Sequence, residues 1–80
     1  MYYVYIIRSD KDIDCYYVGY SENVRERLAV HNRGKVESTQ KHKPWKLITR
    51  ICFSNKKKAK DFEKYLKSHS GRAFFKKRLI

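Results

Sequence analysis

The chain predicts an α+β fold: one small domain over residues 1–80, with a three-stranded antiparallel sheet flanked by helices in the order β-β-α-β-α-α. Three observations carry this prediction. Two short aromatic and β-branched runs near the N-terminus read as strands, a third such run follows Pro44, and apolar residues recur at helical spacing in the segments between and after them. A chain of 80 residues has little apolar surface to bury and cannot divide it between two cores.

Residues Tyr2 to Arg8 alternate, with Tyr3, Tyr5 and Ile7 on one face and Val4 and Ile6 on the other. The polar stretch Ser9-Asp10-Lys11-Asp12-Ile13-Asp14 is turn-prone and of hairpin-loop length, and it leads to a second strand from Cys15 to Tyr20. Tyr17 and Gly19 share one face of that strand, so antiparallel pairing can set Tyr5 and Tyr17 side by side. Ser21 can cap a helix of about three turns, which Gly34 would end in a left-handed conformation. Its apolar side comes from Val24, Leu28 and Val30, while Arg27 and His31, one turn apart, are neighbours on its surface.

From Arg33 to Lys43 the chain is basic and polar without a hydrophobic period, which reads as a loop. Trp45 to Phe53 returns to strand character, Pro44 having discouraged helix just before it. Ser54 can cap a second helix, from about Lys56 to Ser68, whose Ala59, Phe62 and Leu66 form a stripe with Glu63 beside it. Ser68-His69-Ser70-Gly71 interrupts the pattern, and Arg72 to Leu79 can form a last short helix with Phe74 and Phe75 as cover.

Charge narrows the partners. Twenty Lys and Arg against 8 Asp and Glu give a net charge of +12 spread along the chain, so a compact body repels itself and attracts polyanions, nucleic acid above all. No stretch is apolar for the roughly 20 residues of a membrane span, and the N-terminus lacks the apolar core of a signal peptide. A cytoplasmic monomer is the expectation. Cys15 and Cys52 lack a CxxC partner, so both read as buried free thiols rather than as zinc or redox groups.

The residues Tyr3-Val4-Tyr5, then Tyr17-Val18-Gly19, then Arg27 before Leu28, resemble the motifs of the GIY-YIG nuclease family. The resemblance runs over nearly the whole chain and is greatest to small stand-alone members, in which Trp45-Lys46-Leu47 and the basic C-terminus also have counterparts. Tyr3 stands where the first triad has its glycine, and no asparagine follows Asn55 to take the place that one fills late in some members.

The resemblance implies a metal-dependent endonuclease acting on DNA, more than on RNA, with little sequence selectivity. It assigns Tyr5 and Tyr17 to the active site, one of them orienting or deprotonating the attacking water. An ordinary tyrosine titrates near pH 10, so base work near neutrality needs a nearby cation to favour the phenolate, and Arg27 is placed to supply it. A guanidinium stays charged and grips two phosphate oxygens at once. His31, on the same side, could bind phosphate, hold a water or donate a proton. Gly19 at the strand end permits close approach of backbone or ligand.

The stretch Phe62-Glu63-Lys64 resembles the family's metal site, which makes Glu63 the ligand of one divalent ion, Mg²⁺ or Mn²⁺. The plainer reading of Glu63 is an i,i+4 ion-pair partner for Lys67. Arg33, Lys35, Lys41, His42 and Lys43 are the candidate contacts to the nucleic-acid backbone, which bind without reading sequence and weaken with salt. Lys56-Lys57-Lys58 and Lys76-Lys77-Arg78 read as solubilising faces. The alternative function is a basic DNA- or RNA-binding module that keeps the fold without catalysis.

Overall fold

A computed structural model describes residues 1–80. The strands are β1 (Tyr2–Ser9), β2 (Tyr16–Ser21) and β3 (Trp45–Phe53), and the helices are α1 (Val24–Asn32), α2 (Lys56–Leu66) and α3 (His69–Arg78). Strand order is β2-β1-β3, with both pairings antiparallel. β1 lies in the middle because it is apolar on both faces: Val4, Tyr5, Ile6 and Ile7 are all at most 1% exposed.

Alternation along β1 separates two cores. Val4 and Ile6, with Val18 of β2, meet Ala59 and Leu66 of α2 and Phe75 of α3. Tyr5 and Ile7 meet Val24 of α1 and Trp45 of β3. The sheet is therefore sandwiched between α1 on one face and the α2–α3 pair on the other. Between β1 and β3 the register slips at Ile6/Ile7, so Ile6 faces Thr49 while Ile7 faces Leu47. A bulge of this kind bends the edge strand.

Three local expectations are corrected. α1 is capped by Asn23, whose Oδ1 accepts the Glu26 amide at 3.1 Å, and Ser21 instead accepts the Asn23 amide at 2.9 Å in the turn before the helix. Asn55, not Ser54, caps α2 through the Lys58 amide at 3.0 Å. In both cases an asparagine stood one or two residues after the serine, and its amide oxygen is an equally good acceptor. α3 begins at His69 rather than Arg72, because Ser68 accepts the Gly71 amide at 3.1 Å and turns the apparent interruption into a cap. Gly34 ends α1 with φ +75°, as expected.

The cysteines also differ from expectation. Cys52, near the end of edge strand β3, is exposed, and Cys15 is half-buried just before β2. The basic loop is more organised than its composition suggests. It holds a 3₁₀ turn at Gln40–His42, Ser9 donates its hydroxyl proton to the His42 carbonyl, and Trp45 Nε1 donates to the Thr39 carbonyl at 2.9 Å. Asn32 at the end of α1 clamps the start of β3, donating to the Trp45 carbonyl at 3.1 Å and accepting the Trp45 amide.

Gly71 sets how closely α3 approaches α2. A Cβ there would overlap the Tyr65 carbonyl oxygen and lie 2.6 Å from the Leu66 Cα. Gly71→Ala should therefore lower stability by more than about 2 kcal/mol in urea unfolding, although alanine is the better helix former by about 1 kcal/mol. A rise in stability on this substitution would contradict the packing described.

Candidate active site

Tyr5 lies opposite Gly19 in the β1–β2 register, and its ring crosses directly over that glycine. A Cβ at residue 19 would collide with the Tyr5 hydroxyl and lie 2.8 Å from Cε1. Glycine is thus required here by a tyrosine of the same site rather than by a ligand. The hydroxyl of Tyr5 meets His31 Nε2 at 2.8 Å, and His31 Nδ1 meets Thr39 Oγ1 at 2.8 Å.

His31 is 0% exposed and Thr39 1%. With both ring nitrogens held by protein groups, His31 has no direct route to a phosphate or to solvent water. This revises the expectation of a surface histidine beside Arg27. Position 31 lies one turn beyond Arg27 as expected, but the helix face that carries it turns toward the sheet.

Tyr17 completes the aromatic cluster. Its ring centroid is 5.0 Å from that of His31 and 6.5 Å from that of Tyr5, which realises the side-by-side tyrosines expected from the alternation. Lys67 Nζ stands 5.5 Å from the Tyr17 ring centroid and 3.1 Å from a carboxylate oxygen of Glu63. Arg27 is half-buried, and its guanidinium acts on the Tyr5 hydroxyl as a donor and a positive charge.

Electrostatics leave the resting site neutral at its centre. Burial pushes the Tyr5 phenol up to about 12, outweighing the hydrogen bond and charge of Arg27, which lower it, while Tyr17 and Glu63 raise it further. Arg27 thus acts in the direction expected of it, favouring the phenolate, but does not by itself outweigh burial. Burial, and then Arg27, hold His31 down at about 4. At neutral pH the pair is a phenol against a neutral imidazole.

Among the carboxylates, Glu63 alone acts on Tyr5; Asp61 is paired with Lys57 at 3.0 Å on the exposed side of α2. Nowhere do three His, Cys, Asp or Glu side chains converge as a ready metal cage. The donor set still fits an ion such as Mg²⁺, which commonly takes one or two carboxylates and fills its shell with water and phosphate oxygens. Glu63 would have to exchange Lys67 for that ion.

Arg33, Lys35, Lys41 and Lys43 are exposed, as backbone contacts must be. His42 is half-buried, its ring edge-on to Trp45 at a centroid distance of 6.4 Å, so it helps to shape the loop. Sequence reasoning missed Thr39, since nothing in a basic loop distinguishes a threonine that will be buried. It weighed Lys67 only as a partner for Glu63. Lys67 also lines a cleft of about 210 Å³ with Tyr16, Tyr17, Arg72 and Phe75.

Residues 1–78 match the family model described as the GIY-YIG catalytic domain. The chain belongs to the GIY-YIG family. Within it, the chain is similar to UPF0213 proteins: 39% identical over 70 residues to one from Staphylococcus haemolyticus, covering 86% of this chain and 83% of that relative. It is 38% identical over 68 residues to YsiG of Lactococcus lactis, covering 82% of this chain and 62% of the relative. It is 43% identical over 53 residues to a Streptococcus pneumoniae relative, of which it spans 54%. The chain thus spans about half to two thirds of several of these relatives. The solution structure of the UPF0213 protein BH0048 from Bacillus halodurans superposes with a TM-score of 0.55 at 28% identity, covering 94% of this chain and 82% of that one. The antiparallel β-β-α-β-α-α architecture read from periodicity is the GIY-YIG fold.

The buried histidine makes stability pH-dependent with a definite sign. An unfolded histidine takes a proton near pH 6.5 and His31 in the fold only near 4, so between those values the unfolded state binds more protons and stability falls as pH falls. Between about pH 6.5 and 5 the expected loss is about 1.5 kcal/mol, read from urea midpoints, and His31→Gln should flatten it. A wild-type profile flat over that window would refute the buried neutral imidazole.

Proposed function

We propose that this chain is a metal-dependent endonuclease that hydrolyses phosphodiester bonds in DNA with little sequence selectivity. The observation that carries the reading is the buried Tyr5–His31 hydrogen bond with the Tyr17 ring beside it, at a hydroxyl whose acidity Arg27 of α1 and Glu63 of α2 both influence. Membership of the GIY-YIG family supports it.

The chemistry needs a deprotonated water, positive charge against the pentavalent transition state and an easier departure for the leaving oxygen. Tyr5 Oη accepts a proton from the attacking water while passing its own to His31 Nε2, so no free phenolate has to form in the resting site. The water oxygen bonds to phosphorus as the bond to the leaving oxygen breaks, and the proton then on His31 returns through Tyr5. Arg27 holds the non-bridging oxygens. Tyr17 walls the site beside Tyr5 and His31. A divalent ion held by Glu63, when bound, supplies charge neutralisation and assists the leaving oxygen. Arg33, Lys35, Lys41 and Lys43 hold the strand by its phosphates.

One observation favours a second reading. Glu63 is already paired with Lys67 at 3.1 Å, an arrangement suited to a basic nucleic-acid-binding module that does no catalysis.

The two readings part on plasmid cleavage. Incubated with supercoiled DNA and Mg²⁺ or Mn²⁺, the wild-type chain should nick it, and Tyr5→Phe and Glu63→Ala should each lose at least about 100-fold in rate. DNA affinity should stay within about twofold in both variants. Salt-sensitive binding without cleavage by any of the three proteins, on duplex, single-stranded and branched DNA, would select the binding module.

A further inference from the structure

We infer that Thr39 is a positioning residue that holds His31 in its Nδ1–H tautomer, leaving Nε2 free to accept the Tyr5 proton; this deepens the nuclease reading and, for its catalytic consequence, rests on it.

The assignment follows from counting donors in a buried chain of groups. His31 Nε2 and Nδ1 meet Tyr5 Oη and Thr39 Oγ1, each at 2.8 Å, and a neutral imidazole donates from one nitrogen and accepts at the other. Two independent counts decide which. Thr39 Oγ1 has an acceptor for its own proton, the Val36 carbonyl at 3.3 Å, so it is free to accept from Nδ1–H. Tyr5 has no such alternative. The Arg27 guanidinium near its oxygen is a pure donor, which leaves His31 Nε2, at 2.8 Å, as the one neighbour able to accept its proton.

With the proton on Nδ1, every group is satisfied: Tyr5 O–H to Nε2, Nδ1–H to Thr39 Oγ1, and Thr39 O–H to the Val36 carbonyl. With the proton on Nε2, the Tyr5 proton would point at a donor inside the fold, and buried polar groups are rarely left in that state.

Thr39 is itself held rigidly. It is 1% exposed, its amide donates to the Val36 carbonyl at 3.1 Å, and its carbonyl accepts from Trp45 Nε1 at 2.9 Å. The loop that carries the basic residues is thereby tied to the site at the one atom that sets the histidine's tautomer. When the Tyr5 proton reaches Nε2, the resulting imidazolium is buried beside Arg27, and Thr39 Oγ1 is the neutral acceptor on its far nitrogen. The other titratable or charged groups facing the pair are Arg27 of α1, Tyr17 of β2 and Glu63 of α2, none of which contacts Nδ1 in place of Thr39. A wrong tautomer at a catalytic histidine can disable proton transfer while leaving geometry intact.

The test reads the tautomer directly from imidazole ¹⁵N shifts and long-range ¹H–¹⁵N couplings of the metal-free protein at pH 7, for wild type, Thr39→Ser and Thr39→Val. His31 should carry its proton on Nδ1 in the wild type and in Thr39→Ser, and move toward Nε2–H in Thr39→Val. On plasmid with Mg²⁺, Thr39→Val should lose about 10- to 100-fold in kcat with KM and DNA affinity unchanged, and Thr39→Ser should restore most of the rate.

A wild-type His31 protonated on Nε2 overturns the inference whatever the variants do. So does a Thr39→Val protein that keeps Nδ1–H and full kcat. If Thr39→Val fails to fold, judged by amide dispersion, Thr39→Ala replaces it under the same criteria. Absence of cleavage by the wild type would refute the nuclease reading alone, because the tautomer is read without substrate or metal.

Discussion

The hydrogen bond between Tyr5 and His31 ties the sheet to α1 and organises the face of the protein around it. It joins the central strand to α1 across the sheet face, and it has consequences in both directions along the chain. On β2 it demands Gly19, since the ring lies where any Cβ would go. On the loop it demands a polar partner for the far nitrogen of a fully buried imidazole, and Thr39 supplies it. The loop in turn is secured by Trp45 and Ser9, so the first strand, first helix, basic loop and third strand converge on one small polar network inside an apolar core.

Such a network is costly unless complete, because each unmet polar group in the interior forfeits its hydration. Its completeness explains how a basic chain of 80 residues can bury a histidine and a tyrosine hydroxyl beside an arginine. It also explains the resting electrostatics. With Tyr5 pushed up to about 12 and His31 held near 4, the proton stays on the phenol until something alters the balance. Under the proposed nuclease reading, a phosphate at Arg27 would remove one of the two influences holding His31 down, and exchange of Lys67 for a divalent ion would change the field from the Glu63 side. The resting site is thus neutral at its centre by construction.

Much of this was legible in the sequence. The doubly apolar run Val4 to Ile7 marked the central strand, the alternation placed Tyr5 beside Tyr17, and Gly34 marked the end of α1. What was not legible shares one physical cause: polar residues whose partners are distant in sequence. His31 looked like a surface residue because periodicity counts only apolar side chains as buried, and its burial rests on partners 26 and 8 residues away. Thr39 carried no pattern at all. The capping residues of α1 and α2 were misassigned where serine and asparagine compete, since the choice depends on the backbone path and not on the acceptor. The α3 start was missed because Gly71 serves close packing with α2 rather than a break.

The most direct test of the account is the NMR pH titration of the His31 imidazole in the metal-free protein. The structure predicts no protonation on descending from pH 8 to about 5, with the midpoint near 4. A His31 midpoint near 6.5 would mean an imidazole open to solvent, and the Tyr5–His31 relay would have no structural basis.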